Sequence, residues 1–246
     1  MSIAIVSQNV RFDSIAAVIF DKDGTLENSA VYWRLIASER ARTIDAQIPG
    51  VGEPLMMAFG IADNTLDPQG LMAVGSRREN EIAAAAYIAE TGRGWHESLN
   101  IARSAFEEVA ESKYLVKTSR TAPLYDDVRG IFKRLKSEGI KIAILSSDST
   151  QAIQEFAIAH QLDRYIDVCV GADGEAAKPD PCLYLQTCQS LGLAPEQTVM
   201  VGDSIVDMVM TRAARGSAAI GICRQQNLLQ DSTDIIIKSL SEIQTL

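Results

Sequence analysis

The chain has no CxxC pair among its four cysteines, Cys169, Cys182, Cys188 and Cys223, all of which fall in the last third. A redox or zinc site is therefore not indicated, and buried free thiols in a reducing compartment are expected. Aromatic residues amount to only 6% against 47% apolar residues overall, so Ala, Ile, Leu and Val must build the interior. That balance favours a layered helix-and-sheet core over an all-β one. Positive charge is also short: 23 Lys and Arg face 32 Asp and Glu, a net −9. Nucleic-acid binding needs Lys and Arg to neutralise phosphates, so no such partner is expected. A phosphorylated small molecule is compatible with the balance, because a local site can be positive on an acidic protein. No window approaches the ~18 apolar residues of a membrane span. The start, MSIAIVSQNVRF, lacks the basic end and long apolar region of a signal peptide. A cytoplasmic protein with no membrane partner is the expectation.

What the chain does have is a series of short, continuous apolar runs, at residues 16–20, 141–145, 167–170, 198–201, 218–222 and 234–238. Runs of this length read as strands buried on both faces. Helical patterns alternate with them. In residues 125–138, Val128, Ile131, Phe132 and Leu135 recur at three- and four-residue spacing and stop before Gly139. Residues 150–160, 181–191 and 204–215 are similar. Strand and helix in alternation predict right-handed crossovers and an α/β fold with a doubly wound, Rossmann-like parallel sheet. Residues 3–12 are expected to add a strand or hairpin.

Between residues 30 and 121 the strand-like runs vanish. Amphipathic stretches occupy 31–47, 78–90 and 95–114, and residues 48–76 are punctuated by Gly and Pro. A block this long is not an ordinary connection between strands. It reads as a second, helical domain (31–117) inserted into a core made of residues 1–30 and 118–246.

The polar residues that follow the core strands are unusual. After the first run come Asp21 and Asp23; after KIAIL come Ser146 and Ser147; after TVMV, the sequence GDSIVD brings Asp203 and Asp207. Lys178 opens KPDP between the third and fourth strands. In parallel sheets, ligands bind beyond the carboxyl ends of the strands, so these clusters are expected to converge. Several carboxylates around one point need a cation, and hard oxygen ligands select Mg²⁺. A lysine and a hydroxyl beside them suit a phosphoryl group. One carboxylate can then attack phosphorus while another shuttles a proton.

DKDGTL, the Ser146 after a hydrophobic strand, KPDP and GDSIVD resemble, in order, the four motifs of the haloacid dehalogenase superfamily, in its phosphatase branch. The insert stands where that family carries a helical cap. The resemblance implies a Mg²⁺-dependent phosphatase acting on a small phosphorylated metabolite through an aspartyl-phosphate. It implies Asp21 as nucleophile, Asp23 as general acid and then base, and Lys178 as counter-charge to Asp21 and the phosphoryl group. Ser146, Ser147, Gly24 and Thr25 are implied beside the phosphate, Ser147 where the family more commonly has Asn. Asp21, Asp203, Asp207 and the backbone carbonyl of Asp23 are implied around Mg²⁺, Asp207 either directly or through water. Haloacid dehalogenases lack the second aspartate, since halide departure needs no proton donor, so Asp23 favours phosphoryl transfer.

The position and size of the cap most resemble phosphoglycolate-phosphatase-like enzymes. A sugar-phosphate mutase and a catalytically idle phosphometabolite-binding protein stand as alternatives. In the insert, Arg77 and Arg78 are candidates to clamp a second anionic group, or are surface residues at the start of a helix. Trp33 is a candidate pocket wall, or core.

Overall fold

The computed structural model describes residues 3–8, 10–224 and 233–246. The chain divides into two compact units, Met1–Asn28 with Leu124–Leu246, and Ser29–Pro123.

The first unit opens with a hairpin, β1 (Ile3–Ser7) and β2 (Val10–Ile15), which pair antiparallel. β3 (Ala17–Phe20) then enters the main sheet. Within the second unit lie α1 (Ala30–Gln47), α2 (Gly52–Ala58), β4 (Ile61–Ala62), β5 (Thr65–Leu66), α3 (Leu71–Val74), α4 (Arg77–Glu90) and α5 (Trp95–Ala110). The first unit resumes with α6 (Val128–Ser137), β6 (Lys141–Leu145), α7 (Thr150–Ala159), β7 (Val168–Val170), α8 (Pro181–Leu191) and β8 (Thr198–Gly202). It ends with α9 (Ile205–Ala213), β9 (Ala218–Ile222), β10 (Ile235–Ile237) and β11 (Gln244–Thr245), the last pairing with β1.

Six strands form one parallel sheet in the order β10-β9-β8-β3-β6-β7. The fold is α/β and Rossmann-like. Alternate side chains of β3 explain why its run is apolar throughout. Val18 and Phe20 join a cluster with Val128, Ile131, Phe132 and Leu135 of α6 and with Ile153 and Phe156 of α7. Ala17 and Ile19 join Leu183, Tyr184 and Cys188 of α8 and Met210 of α9. Each face of the strand is thus covered by a different helix pair, as period-two alternation requires. From β3 the chain builds outward through β6 and β7, then returns past β3 to build the other way through β8, β9 and β10. That reversal places the crevice for a ligand beyond the carboxyl end of β3 and its neighbours.

The chain leaves and re-enters this unit side by side. Glu27 and Leu124 form an antiparallel bridge, and the Tyr125 N–H donates to the Leu26 carbonyl at 3.0 Å.

In the second unit, α1, α2, α4 and α5 enclose Ile36, Ile44, Leu55, Phe59, Ile88 and Phe106. Arg40 is buried here with its guanidinium 4.0 Å from the Phe106 ring centre. One expectation is corrected: this segment is not free of strands. β4 and β5 form a short antiparallel ladder, Ile61 opposite Leu66 and Ala62 opposite Thr65. Two-residue strands are too short to show a period-two pattern. The cysteines also differ from expectation. No disulfide joins them, but only Cys188 is buried, while Cys182 is exposed. Cys182 sits in the first turn of α8, where its N–H donates to the Asp180 cap at 2.8 Å.

Candidate active site

The backbone sets the position of Asp21 before any side chain is considered. Just past β3, the Asp21 N–H donates to the Val201 carbonyl of β8 at 2.9 Å, so the sheet ladder still holds the chain there. Ser146 is fixed the same way, its N–H donating to the Val170 carbonyl of β7 at 3.1 Å. Its Oγ accepts the Asp148 N–H at 3.2 Å, which leaves the hydroxyl proton to be donated elsewhere.

Lys178 is brought in by the loop between β7 and α8. Asp180 caps α8 and Pro181 starts it, so the helix begins at once after the loop. The buried Lys178 Nζ lies 2.5 Å from Asp21 Oδ1 and 2.6 Å from Asp207 Oδ1. Asp207 is fully buried, and its Oδ2 accepts from the Ser204 hydroxyl at 2.7 Å and the Ser204 N–H at 3.3 Å. Ser204 and Asp207 together close the first turn of α9, while Asp203 stands one residue ahead of that turn. Oxygens of Asp21, Asp203 and Asp207 lie within 4.8 Å of one another.

Two glycines make room for this crowding. Gly24 has φ +77°, and a Cβ there would meet Asp203 Oδ2 at 1.9 Å. A Cβ on Gly202 would meet Asp207 Oδ2 at 2.4 Å. The Gly24 N–H donates to the Glu27 carbonyl at 2.8 Å, so what Gly24 offers the site is clearance rather than a donor. Thr25 is fully buried, and its carbonyl accepts from Arg224 Nη2 at 2.8 Å. Arg224 is itself gripped by both Asp127 oxygens, at 2.7 and 2.9 Å.

The electrostatics are those of a site short of positive charge. Three carboxylates share one ammonium, a deficit that one divalent cation would close. Burial pushes the Asp21 carboxyl up; Lys178 opposes this while Asp207 and Asp23 reinforce it, and its pKa reaches about 7. Burial, then the charges of Asp21 and Asp207, hold Asp203 well above the usual carboxylate range. For Lys178, burial acts downward but Asp207 and Asp21 outweigh it, keeping the amine above its ordinary value. Hard, anionic oxygens suit Mg²⁺, whose ligand distance of about 2.0–2.1 Å places neighbouring ligand oxygens roughly 3 Å apart. Carboxylate oxygens of Asp21, Asp203 and Asp207 gathered within 4.8 Å of one another suit one shared cation.

Other sequence candidates lie elsewhere. The Asp23 carboxylate is not part of that trio: its Oδ2 pairs with Lys22 at 2.6 Å. Ser147 follows Ser146 in the loop after β6 and is half-buried. In the second unit, Arg77 pairs with Glu81 at 2.7 Å on the surface of α4, and Arg78 is exposed beside it. Trp33 is half-buried, its ring 5.1 Å from that of Tyr32, with Lys117 Nζ 5.2 Å from both rings.

Sequence reasoning passed over Lys22, which is buried between the two aspartates. It also passed over Glu27. Ser149 caps α7, accepting from the Ala152 N–H at 3.2 Å, and Asp148 beside it pairs with Lys22 at 2.9 Å. The visible signal was a lysine placed directly after a buried strand, where no solvated face was available.

A family model for haloacid dehalogenase-like hydrolases matches residues 15–215. Phosphoglycolate phosphatase of Escherichia coli K12 is 24% identical over 244 residues, covering 95% of this chain and 92% of that protein. (S)-2-haloacid dehalogenase 4A of Burkholderia cepacia is 33% identical over 95 residues, 38% of this chain and 41% of that protein. The chain thus spans under half the length of two of the curated relatives it matches. The crystal structure of a predicted phosphoglycolate phosphatase from Haemophilus somnus 129PT shares the fold, with a TM-score of 0.70 at 20% identity, covering 92% of this chain and 95% of that one. With the matched region spanning every strand-end cluster of the site, the chain belongs to the haloacid dehalogenase-like hydrolases.

Proposed function

We propose that this hydrolase is a Mg²⁺-dependent phosphatase of small phosphomonoesters that works through an aspartyl-phosphate on Asp21. The observation that carries the reading is the buried Asp21–Lys178–Asp207 array beside Asp203, at the reversal point of a parallel sheet. The full-length similarity to phosphoglycolate phosphatase supports a phosphomonoester as substrate.

Asp21, Asp203, Asp207 and the Asp23 carbonyl are the groups that would hold Mg²⁺; when bound, it screens the carboxylates and the phosphoryl oxygens. Lys178 holds one oxygen of Asp21, leaving the second to bond to phosphorus as the ester P–O bond breaks. Asp23 gives its proton to the departing alkoxide oxygen. It then takes a proton from the water whose oxygen displaces Asp21 from phosphorus, restoring both carboxyl groups. Ser146 donates its hydroxyl to a phosphoryl oxygen. Halide displacement needs no such proton carrier, so an aspartate at position 23 favours phosphoryl transfer. The second unit is then the cap that admits the substrate, with Trp33, Arg77 and Arg78 as residues to test for its selection.

Purified protein is expected to hydrolyse p-nitrophenyl phosphate with Mg²⁺ and to lose that activity with a chelator, regaining it on Mg²⁺ addition. Undiminished turnover in chelator rules the mechanism out. Gly24→Ala tests the metal pocket separately. The new methyl must displace the Asp203 carboxylate, and φ +77° adds strain of roughly 1–2 kcal/mol. The Mg²⁺ concentration for half-maximal activity should rise at least about tenfold, a loss of metal affinity typical of disturbed ligand support. An unchanged Mg²⁺ titration contradicts the placement of Asp203.

A further inference from the structure

The Lys22 side chain is 1% exposed, and its head group lies among carboxylates beside the Phe156 ring. Its Nζ lies 2.6 Å from Asp23 Oδ2, 2.9 Å from Glu27 Oε1 and 2.9 Å from Asp148 Oδ2, with the Phe156 ring centre at 5.7 Å. Glu27 is as buried as the lysine, whereas Asp23 and Asp148 are each about one-fifth exposed. The ammonium is therefore sealed, while the Asp23 carboxylate it holds is partly open to solvent.

The backbone reinforces the arrangement. The Lys22 carbonyl accepts the N–H groups of Leu26 at 2.8 Å and Glu27 at 3.2 Å, so residues 22–27 form a closed loop in which Asp23 directly follows the lysine. Asp148 belongs to the loop after β6 and donates its own N–H to Ser146 Oγ. One ammonium thus joins the loop carrying the proton donor to the loop carrying a phosphate-facing hydroxyl.

Burying a lysine costs several kcal/mol of desolvation, and well-packed apolar groups often serve stability as well as a buried ion pair does. An ion cluster here needs a reason other than stability. We propose that Lys22 is a positioning residue: by gripping Asp23 Oδ2, with Glu27 and Asp148 fixing the ammonium, it holds Asp23 in one rotamer for proton transfer to the leaving group. The inference rests on the phosphatase reading and on Asp23 as its proton carrier. Lys22 touches no reacting atom in this scheme. It lowers the cost of bringing the Asp23 proton to the ester oxygen as the P–O bond breaks.

A positioned acid matters most when the leaving group needs a proton. p-Nitrophenolate departs with little help, whereas phenolate from phenyl phosphate needs more, and the two esters bind alike. The test compares kcat/KM for both esters, with Mg²⁺, in the wild type and in Lys22→Met/Glu27→Gln. The paired substitution avoids leaving Glu27 charged and buried without its lysine. The phenyl phosphate value should fall about tenfold or more beyond the fall for p-nitrophenyl phosphate, within the range that general acid catalysis supplies, with the KM values little changed. Lys22→Arg, which keeps the cation but moves it, should shift the same ratio in the same direction by less. It serves as the test if the double variant does not fold. In an Asp23→Asn background the Lys22 substitutions should change the ratio no further, because residues acting as one unit are non-additive. Equal losses for both esters, or a further ratio change without Asp23, overturns the assignment of Lys22. A wild-type protein that cleaves neither ester overturns the phosphatase reading itself.

Discussion

Asp21→Asn should reduce turnover of p-nitrophenyl phosphate by at least about 10⁴-fold, the scale on which removing a nucleophile from a concerted site acts. The amide keeps the shape of the carboxylate, and the main-chain bond from the Asp21 N–H to Val201 is untouched. What disappears is the oxygen nucleophile. Wild-type protein quenched during turnover should carry phosphate on Asp21, detectable as an acyl phosphate that hydroxylamine releases from the intact chain, and the variant should carry none. Undiminished turnover in the Asn variant would falsify the aspartyl-phosphate.

The same substitution has an opposite effect on stability, and its sign follows from the raised pKa. Asp21 titrates near 7 when folded, against 3.8 as the ordinary value. Between those values the folded state binds more protons than the unfolded one, so stability falls as pH rises. The contribution is complete below about pH 4 and lost above about pH 7. In chelator, wild-type Tm should therefore drop across that window, and Asp21→Asn should flatten the drop. At pH 8 in chelator the variant should melt roughly 2–4 °C higher, the shift that about 1 kcal/mol gives in a chain of this size. Added Mg²⁺ should stabilise the wild type more at pH 8 than at pH 5, because the carboxylates must be ionised to bind it. A wild-type Tm that rises between pH 4 and 7 in chelator contradicts this electrostatic picture.

The parts of this molecule that the sequence discloses are those in which local pattern and burial coincide. Val18 and Phe20 face one helix pair while Ala17 and Ile19 face the other, so β3 must read as an unbroken apolar run. Asp21, Ser146 and Asp203 follow strand ends, and the sheet topology then forces them together without further information. Helix ends are less legible because tertiary partners trim them. The helix expected over 125–138 begins at Val128, since Asp127 is occupied by Arg224, Ser239 and the Leu240 N–H. Lys22 is hidden for a related reason. A lysine in a sequence reads as solvated, and only the approach of Asp148 and Phe156 from a remote loop and helix shows that it is not. Gly24 is legible as a member of the DKDGTL motif. That its missing Cβ is the space for Asp203 depends on β8 lying next to β3.

Lys178→Met is expected to cost both function and stability, unlike Asp21→Asn. The lysine side chain is 3% exposed and sits between two buried carboxylates, at 2.5 Å from Asp21 and 2.6 Å from Asp207. Removing one partner from a buried pair leaves an uncompensated charge, which destabilises by about 3–5 kcal/mol. Turnover should fall about 10³-fold as well, because the ammonium offsets charge on Asp21 and on the phosphoryl oxygens in a buried site, where such pairing counts for more than in water. The two losses have different origins and can be separated. Adding Asp207→Asn removes one stranded charge, and the amide oxygen can still accept from Ser204. Denaturant unfolding of Lys178→Met/Asp207→Asn should recover part of the lost stability, while turnover stays low because Asp21 still lacks its counter-charge. Recovery of activity along with stability would mean that Lys178 serves only to neutralise Asp207, and that Asp21 needs no ammonium beside it.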